Sequence, residues 1–272
     1  MTTIRVSNLH FSYQEDFEVL KEINVEFDHR STAIIGQNGA GKTTFVKLLK
    51  GLLLPTQGDI WIKDYNTKEN TVAFLAQHIG LVFQNPNDQI FKSNVLDEVS
   101  FGPCNIGFDQ KTATEKAKDA LQMVGLLDKQ NLNPYDLTLS ERKLVSIASI
   151  VAMDTDILIF DEPTIAQDFV GREKVKQIIK DLIRKGKLVI TIIHDMDFVA
   201  ETFDRAIVFY NGNILLDGDT REVFSHKEEL KKAYLEPPHV TQLANRLGID
   251  KVFLNDEELT NYLKNIELKP QA

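Results

Sequence analysis

The stretch Gly36-Gln37-Asn38-Gly39-Ala40-Gly41-Lys42-Thr43-Thr44 decides how the rest of the chain is read. It fits G-x-x-x-x-G-K-[ST], a phosphate-binding loop. Ser31-Thr32-Ala33-Ile34-Ile35 ahead of it is short, β-branched and apolar, which predicts a buried strand. Phe45 to Lys50 behind it has apolar residues at helical spacing, and Gly51 predicts the stop. Strand, glycine loop and helix start follow in the order that phosphate binding requires. A helix start has unpaired N–H groups and partial positive charge, so it holds anions. Gly36, Gly39 and Gly41 let the backbone wrap around phosphates where a Cβ would collide. Lys42 is expected to reach the β- and γ-phosphates and the Thr43 hydroxyl to ligate Mg²⁺, with Gln37, Asn38, Ala40 and Thr44 completing the cradle. On this reading the chain binds a nucleoside triphosphate.

The 272 residues suit one large domain, or one domain with an appendage, and 43% hydrophobic residues support a packed core. A formal net charge of −9 argues against nucleic acid as a partner. Cys104 is the single cysteine, so no disulfide forms within the chain and a reducing compartment is expected. No apolar run reaches the ~18 residues that a membrane-spanning helix needs. Met1-Thr2-Thr3-Ile4-Arg5 has no signal-peptide core. The expectation is a soluble, cytoplasmic chain, free to dock on something that is not.

Ile4 to Leu9 and Val19 to Phe27 read as an antiparallel pair, with Gln14-Glu15-Asp16 in the turn. Between them, Tyr13 is a candidate to stack on a nucleobase, or an ordinary strand aromatic. Asp59 to Ile62 and Ile79 to Phe83 read as strands, and Lys63 to Asn70 as a polar loop. Gln84 has the chemistry to ligate Mg²⁺ or orient water, yet Gln84-Asn85-Pro86 alone is usually only a turn. Asn94 to Gly102 and Thr112 to Val124 read as helices, the second with Thr112 and Glu115 as a capping box. A third runs from Ser140 or Glu141 to Met153, after the break at Pro134-Tyr135-Asp136.

Ile157-Leu158-Ile159-Phe160 is an apolar strand that ends in Asp161-Glu162-Pro163-Thr164. A buried parallel strand delivers its last residues to the same edge as the phosphate loop. There Asp161 is expected to hold Mg²⁺ through water and Glu162 to polarise the attacking water, a solvated acidic pair being the bland alternative. Phe169 to Arg184 reads as an amphipathic helix and Lys187 to Ile193 as a further strand. His194, at that strand's end, has the chemistry to hydrogen-bond a γ-phosphate or the water, although alone a strand-end histidine is more often structural. Ala206 to Tyr210 and Asn213 to Leu216 form a hairpin through Asn211-Gly212. Ser225 to Tyr234, Val240 to Leu247 and Glu257 to Asn265 read as helices of a tail without a catalytic constellation.

The phosphate loop, Gln84, Leu137 to Glu141, Asp161-Glu162 and His194, in that order, resemble the motifs of the ATP-binding-cassette (ABC) ATPases. The resemblance implies an α/β P-loop fold over residues 1–218, with a RecA-like core, an antiparallel β subdomain and a helical subdomain near 88–153. A small α-rich extension, 219–272, follows. It also implies ATP and Mg²⁺ as ligands, Tyr13 as adenine-stacking aromatic, Gln84 as lid glutamine, Glu162 as general base and His194 as switch histidine. Val82 to Phe91, Phe101-Gly102-Pro103 and Pro237 to Gly248 resemble the ATPase subunits of energy-coupling factor transporters. In that group two ATPases pair, helped by the C-terminal extension, at the cytoplasmic face of a bacterial or archaeal membrane. A membrane scaffold subunit and a substrate-binding membrane subunit complete an importer of vitamins or transition-metal ions. The segment from Gln84 to Phe101 is expected to receive helices of the membrane subunit.

Two departures stand out. Leu137-Thr138-Leu139-Ser140-Glu141 replaces the family's LSGGQ signature, so two glycines are lost. If Leu139 or Ser140 needs φ > 0, strain on the order of 1 kcal/mol follows. Ala166-Gln167-Asp168 falls at the family's D-loop, with Asp168 matching and Gln167 where leucine is common. Each ATP in the family lies between one subunit's phosphate loop and the other's signature. The expectation is therefore a heterodimer with unequal sites, this chain's own the more active. The alternatives are the ATPase of a different importer, or an ABC ATPase acting on nucleic acid or ribosomes.

Overall fold

The computed structural model describes residues 3–14 and 17–267. Among the described residues the strands are β1 (Ile4–Gln14), β2 (Phe17–Phe27), β3 (Thr32–Ile35), β4 (Gln57–Ile62), β5 (Tyr65–Asn66), β6 (Ile79–Val82), β7 (Ile157–Asp161), β8 (Leu188–Ile192), β9 (Arg205–Tyr210) and β10 (Asn213–Asp219). The helices of the nucleotide core are α1 (Lys42–Leu49), α2 (Val72–Leu75), α3 (Val95–Asn105), α4 (Gln110–Met123), α5 (Leu139–Val151), α6 (Phe169–Arg184) and α7 (Met196–Thr202). Four more close the chain: α8 (Thr220–Ser225), α9 (Lys227–Lys232), α10 (His239–Arg246) and α11 (Asp256–Glu267).

A six-stranded sheet in the order β10-β9-β3-β8-β7-β6 is parallel except at β10. Its strands are apolar without alternation because both faces are covered. Ile157 and Ile159 of β7 face a core shared with α1 and the antiparallel sheet β2-β1-β4-β5. Leu158 and Phe160 face the other core, among α3 to α6. Phe27, Phe45 and Phe209 stack between the sheets, with ring centroids 6.3 Å and 5.1 Å apart. This two-sided burial aligns the C-terminal ends of β3, β6, β7 and β8 along one edge.

Several local expectations give way to closer chemistry. Helix α4 starts two residues before Thr112, because Asp109 caps it by accepting from the N–H groups of Lys111 and Thr112. Thr112 instead donates its hydroxyl to Asp109, so it belongs to no capping box with Glu115. The stretch expected as a plain loop contains β5, which pairs with β4, and Thr71 caps the unforeseen α2. Asp195 caps α7, also unforeseen. The first tail helix, expected over Ser225 to Tyr234, is the shorter α9, and an unforeseen α8 precedes it. The hairpin turn holds: Asn211 and Gly212 both have positive φ, 49° and 82°. Glu15 and Asp16 of the expected first turn lie outside the described residues.

Behind the tail helices sits a small separate core of Val240, Ala244, Phe253 and Leu259. Arg221 of α8 grips Glu258 of α11 at 2.7 and 3.0 Å and the Val252 carbonyl at 2.8 Å. The His239 N–H donates to Asp197 at 2.8 Å, fastening α10 to α7.

Lys50, at the end of α1, is buried and donates to the Ile79 carbonyl at 2.8 Å. Burial pushes its ammonium down to about 8. The unfolded chain then binds more protons than the native one between about 8 and 10.5, so stability rises with pH through that window. Lys50→Met is expected to flatten that rise. Denaturant midpoints measured from pH 7 to 10.5 check it, and parallel curves for the two proteins contradict it.

Candidate nucleotide site

The phosphate loop leaves β3 and enters α1 without a side-chain cap: Gly41 is the N-cap, and no acidic residue lies in the first turn. Helices α2 to α8 are each capped by a Thr, Asn or Asp side chain. The start of α1 thus keeps its donors free for an anion. Gly36 and Gly41 have φ of 143° and 98°. A Cβ at Gly36 would lie 2.3 Å from the Phe209 carbonyl, and one at Gly41 2.6 Å from Leu20. The collisions expected with phosphate are therefore also collisions with the chain's own neighbouring strands. Gly39 is open, with nothing within 4 Å of its Cβ position, so only its φ of 81° calls for glycine.

Lys42 is buried and folds its ammonium onto the carbonyls of Gly36 and Gln37, both at 2.8 Å. Burial lowers its pKa, and the charges of Glu162 and Asp161 oppose that shift. The Thr43 hydroxyl lies 3.4 Å from Asp161 Oδ1, longer than a well-made O–H···O bond. Tyr13 is 57% exposed, with its ring edge-on to Phe11 and its hydroxyl 3.3 Å from Thr44 Oγ1.

The ends of β6, β7 and β8 bring three further side chains together. Gln84 Nε2 donates to Glu162 Oε2 at 3.0 Å, and His194 Nε2 lies 3.0 Å from Glu162 Oε1. An ionised carboxylate only accepts, so this ring nitrogen of His194 carries the proton. The bond from His194 holds Glu162 below the ordinary carboxylate range against the opposing effect of burial, helped by the Lys42 charge and the Gln84 amide. Glu162 sits at φ 48°, a left-handed conformation of the kind that collects at functional sites. Burial raises the neighbouring Asp161; the Thr43 bond works against that, and the Glu162 charge adds to it. Lys42, Thr43, Gln84, Glu162 and His194 line one cleft of about 580 Å³.

Asn38, Gly39, Gly41 and Thr44 of the phosphate loop line that cleft too, whereas Thr138 to Glu141 and Asp168 do not. Thr138 caps α5 in a capping box: the Glu141 N–H donates to Thr138 Oγ1 at 3.2 Å, and the Thr138 N–H to Glu141 Oε2 at 3.0 Å. Lys129 pairs with Glu141, and that hydrogen bond lowers the pKa of the acid. Leu139 is exposed, and neither Leu139 nor Ser140 has positive φ, so the lost glycines leave no backbone strain there. Asp168 caps α6, accepting from the Gly171 N–H at 2.8 Å.

Lys143 is the residue that sequence reading passed over. It is 1% exposed and donates to the carbonyls of Phe83 (2.7 Å), Gln84 (2.8 Å) and Asp161 (3.3 Å). Burial pushes its pKa to about 8, against the pull of Asp161 and Glu162. Its place four residues before Ile147, on the apolar face of α5, was the available signal.

Glycine loop, uncapped helix, paired carboxylates and strand-end histidine on one parallel edge define a phosphate-loop nucleotide hydrolase. Residues 20–165 match the ABC transporter family, and the chain belongs to it as an ABC-type ATPase that couples ATP hydrolysis to transport, of the energy-coupling factor kind. It is 39% identical to the energy-coupling factor transporter ATP-binding protein EcfA1 of Caldanaerobacter subterraneus subsp. tengcongensis, across 96% of this chain and 98% of the relative. It is similar in fold to cbiO1 from Clostridium perfringens, part of the ABC transporter complex cbiONQ, with TM-score 0.75, 29% identity, and 91% and 97% of the two chains covered. A dimeric ATP-binding cassette in a post-hydrolysis state, bound to ADP and Pi, aligns with TM-score 0.73 and 25% identity over 80% of this chain and 99% of that one.

Burial raises the pKa of Asp161, and the positive charge of Lys143 works against that rise. Lys143→Met is expected to move the acid limb of the ATPase pH profile upward and to cut turnover about tenfold, as loss of a positioning contact does. Steady-state rates from pH 5 to 9 check this; an unmoved limb contradicts it.

Proposed function

We propose that this chain is one of two ATPase subunits that energise an importer of vitamins or transition-metal ions at the cytoplasmic face of a membrane. One observation carries the reading. The phosphate loop, Gln84, Glu162 and His194 share one cleft, whereas Thr138 to Glu141 do not line it. A signature stretch that turns away from its own nucleotide has work only on another subunit's. A second cassette therefore completes each site, and the altered signature favours a heterodimer with unequal sites.

The residues present fit magnesium and a triphosphate. The uncapped start of α1 and Lys42 suit the phosphates, and the loose Thr43–Asp161 pair, with Gln84 near, suits the metal. Among the described residues no three His, Cys, Asp or Glu converge on a metal by themselves, so phosphate oxygens would share its coordination. When bound, magnesium neutralises phosphate charge. Lys42 leaves its two loop carbonyls for the β- and γ-phosphates. Glu162, ionised, accepts a proton from the attacking water while His194 and Gln84 orient its two oxygens. Tyr13, exposed on β1, stacks on the adenine. Loss of the γ-phosphate contacts then releases the subunits.

Residues 1–218 form the ATP-binding domain on this reading, with 88–153 as its helical subdomain, where α3, α4 and α5 pack together. Residues 219–272 form the pairing extension, supported by its separate core and by exposed Tyr234, Leu243 and Leu247. No helix among the described residues is long and apolar enough to cross a membrane. On this reading membrane subunits hold the chain, received between Gln84 and Phe101.

Glu162→Gln in the complex isolated from detergent-solubilised membranes is expected to lower kcat by about 10²–10⁴-fold with ATP affinity kept. Lys42→Ala is expected to lose ATP binding itself. Retained turnover in either variant refutes these roles. Equal losses from Glu162→Gln and from the matching change in the partner refute the asymmetry.

A further inference from the structure

Three residues that the ATPase motifs leave unexplained meet in one place. Ser140 stands where the family pattern has glycine, and Gln167 where it has leucine. Gly171 lies in the first turn of α6, although glycine disfavours helix. Ser140 Oγ donates to Gln167 Oε1 at 2.9 Å, and Gln167 Nε2 donates back to the Ser140 carbonyl at 3.1 Å. One amide thus satisfies both polar ends of one serine, and both residues are half-buried. Gly171 makes room for this contact: a Cβ there would lie 2.3 Å from Gln167 Oε1. Its N–H is in turn held by Asp168 Oδ1 at 2.8 Å.

We propose that Ser140, Gln167 and Gly171 form a positioning latch that ties the start of α5 to the D-loop of the same chain. The capping box of Thr138 and Glu141 fixes one side, and the Asp168 cap fixes the other. The latch joins them, so that the signature stretch and Asp168 move as one body. This rests on the reading above that both segments face a partner's nucleotide. It makes the two departures from the family pattern a matched pair: serine brings a hydroxyl, and glutamine is the residue that reaches and answers it. A leucine at 167 has no group to do so.

The contact and its role are tested separately. In the purified chain, Ser140→Ala, Gln167→Ala and the double variant are compared by denaturant unfolding. The latch predicts that the double variant is no less stable than the weaker single one; additive losses overturn the contact. In the complex isolated from membranes, each single variant is expected to lower kcat about tenfold with KM within about twofold, and the double variant no further. Unchanged or raised kcat overturns the positioning role. Gly171→Ala separates the latch from folding, because alanine favours helix and displaces the Gln167 amide. Its Tm is expected to hold or rise while kcat falls as in Gln167→Ala; a kcat equal to wild type overturns the proposal. Failure of Glu162→Gln to reduce turnover would sink the catalytic reading while leaving the unfolding comparison intact.

Discussion

Two lysines held against two carboxylates at the open edge of an apolar sheet are the constraint on which this molecule depends. Lys42 comes from the phosphate loop and Lys143 from α5, and both lie buried near Asp161 and Glu162. Each charge taken from water needs a partner nearby. The carbonyls of Gly36, Gln37, Phe83, Gln84 and Asp161 accept from these ammonium groups. Lys143 therefore joins three elements at once: α5, the lid segment after β6 and the end of β7. A shift of α5 reaches the carboxylates through one side chain.

The two carboxylates are driven apart by their surroundings. Asp161, deep at the strand end, is raised by burial, while Glu162, one residue on, is lowered by the His194 bond. The backbone at Glu162 turns left-handed, which takes its side chain out of the strand's alternation. Its N–H still donates to the Ile192 carbonyl at 3.1 Å, so the turn is anchored to β8. Adjacent acids thereby acquire opposite proton affinities, as the roles proposed for them at metal and water require.

The altered signature is not a damaged helix start. Thr138, Glu141 and Lys129 make α5 well capped, and no positive φ is required where the glycines are missing. What changes is the surface presented outward: a Leu139 side chain, and a Ser140 hydroxyl turned toward Gln167.

The sequence by itself determined the parallel core, the phosphate loop, Asp161-Glu162 and the hairpin at Asn211-Gly212. Each is a local pattern: an unbroken apolar run buried on two faces, glycines at positive φ, a helix start without a cap. Helix α6 was legible to the residue for the same reason, from its apolar face alone. The start of α4 was misread because Asp109 caps it three residues earlier than Thr112 would, taking the N–H groups of Lys111 and Thr112, and residue spacing does not rank the two caps. Helices α2 and α7 are too short for periodicity to register. Only the tertiary structure decided what Lys143, Ser140 and Gln167 do. Their partners lie 18 to 60 residues away along the chain, and burial with hydrogen-bond geometry sets their roles, which no local pattern encodes.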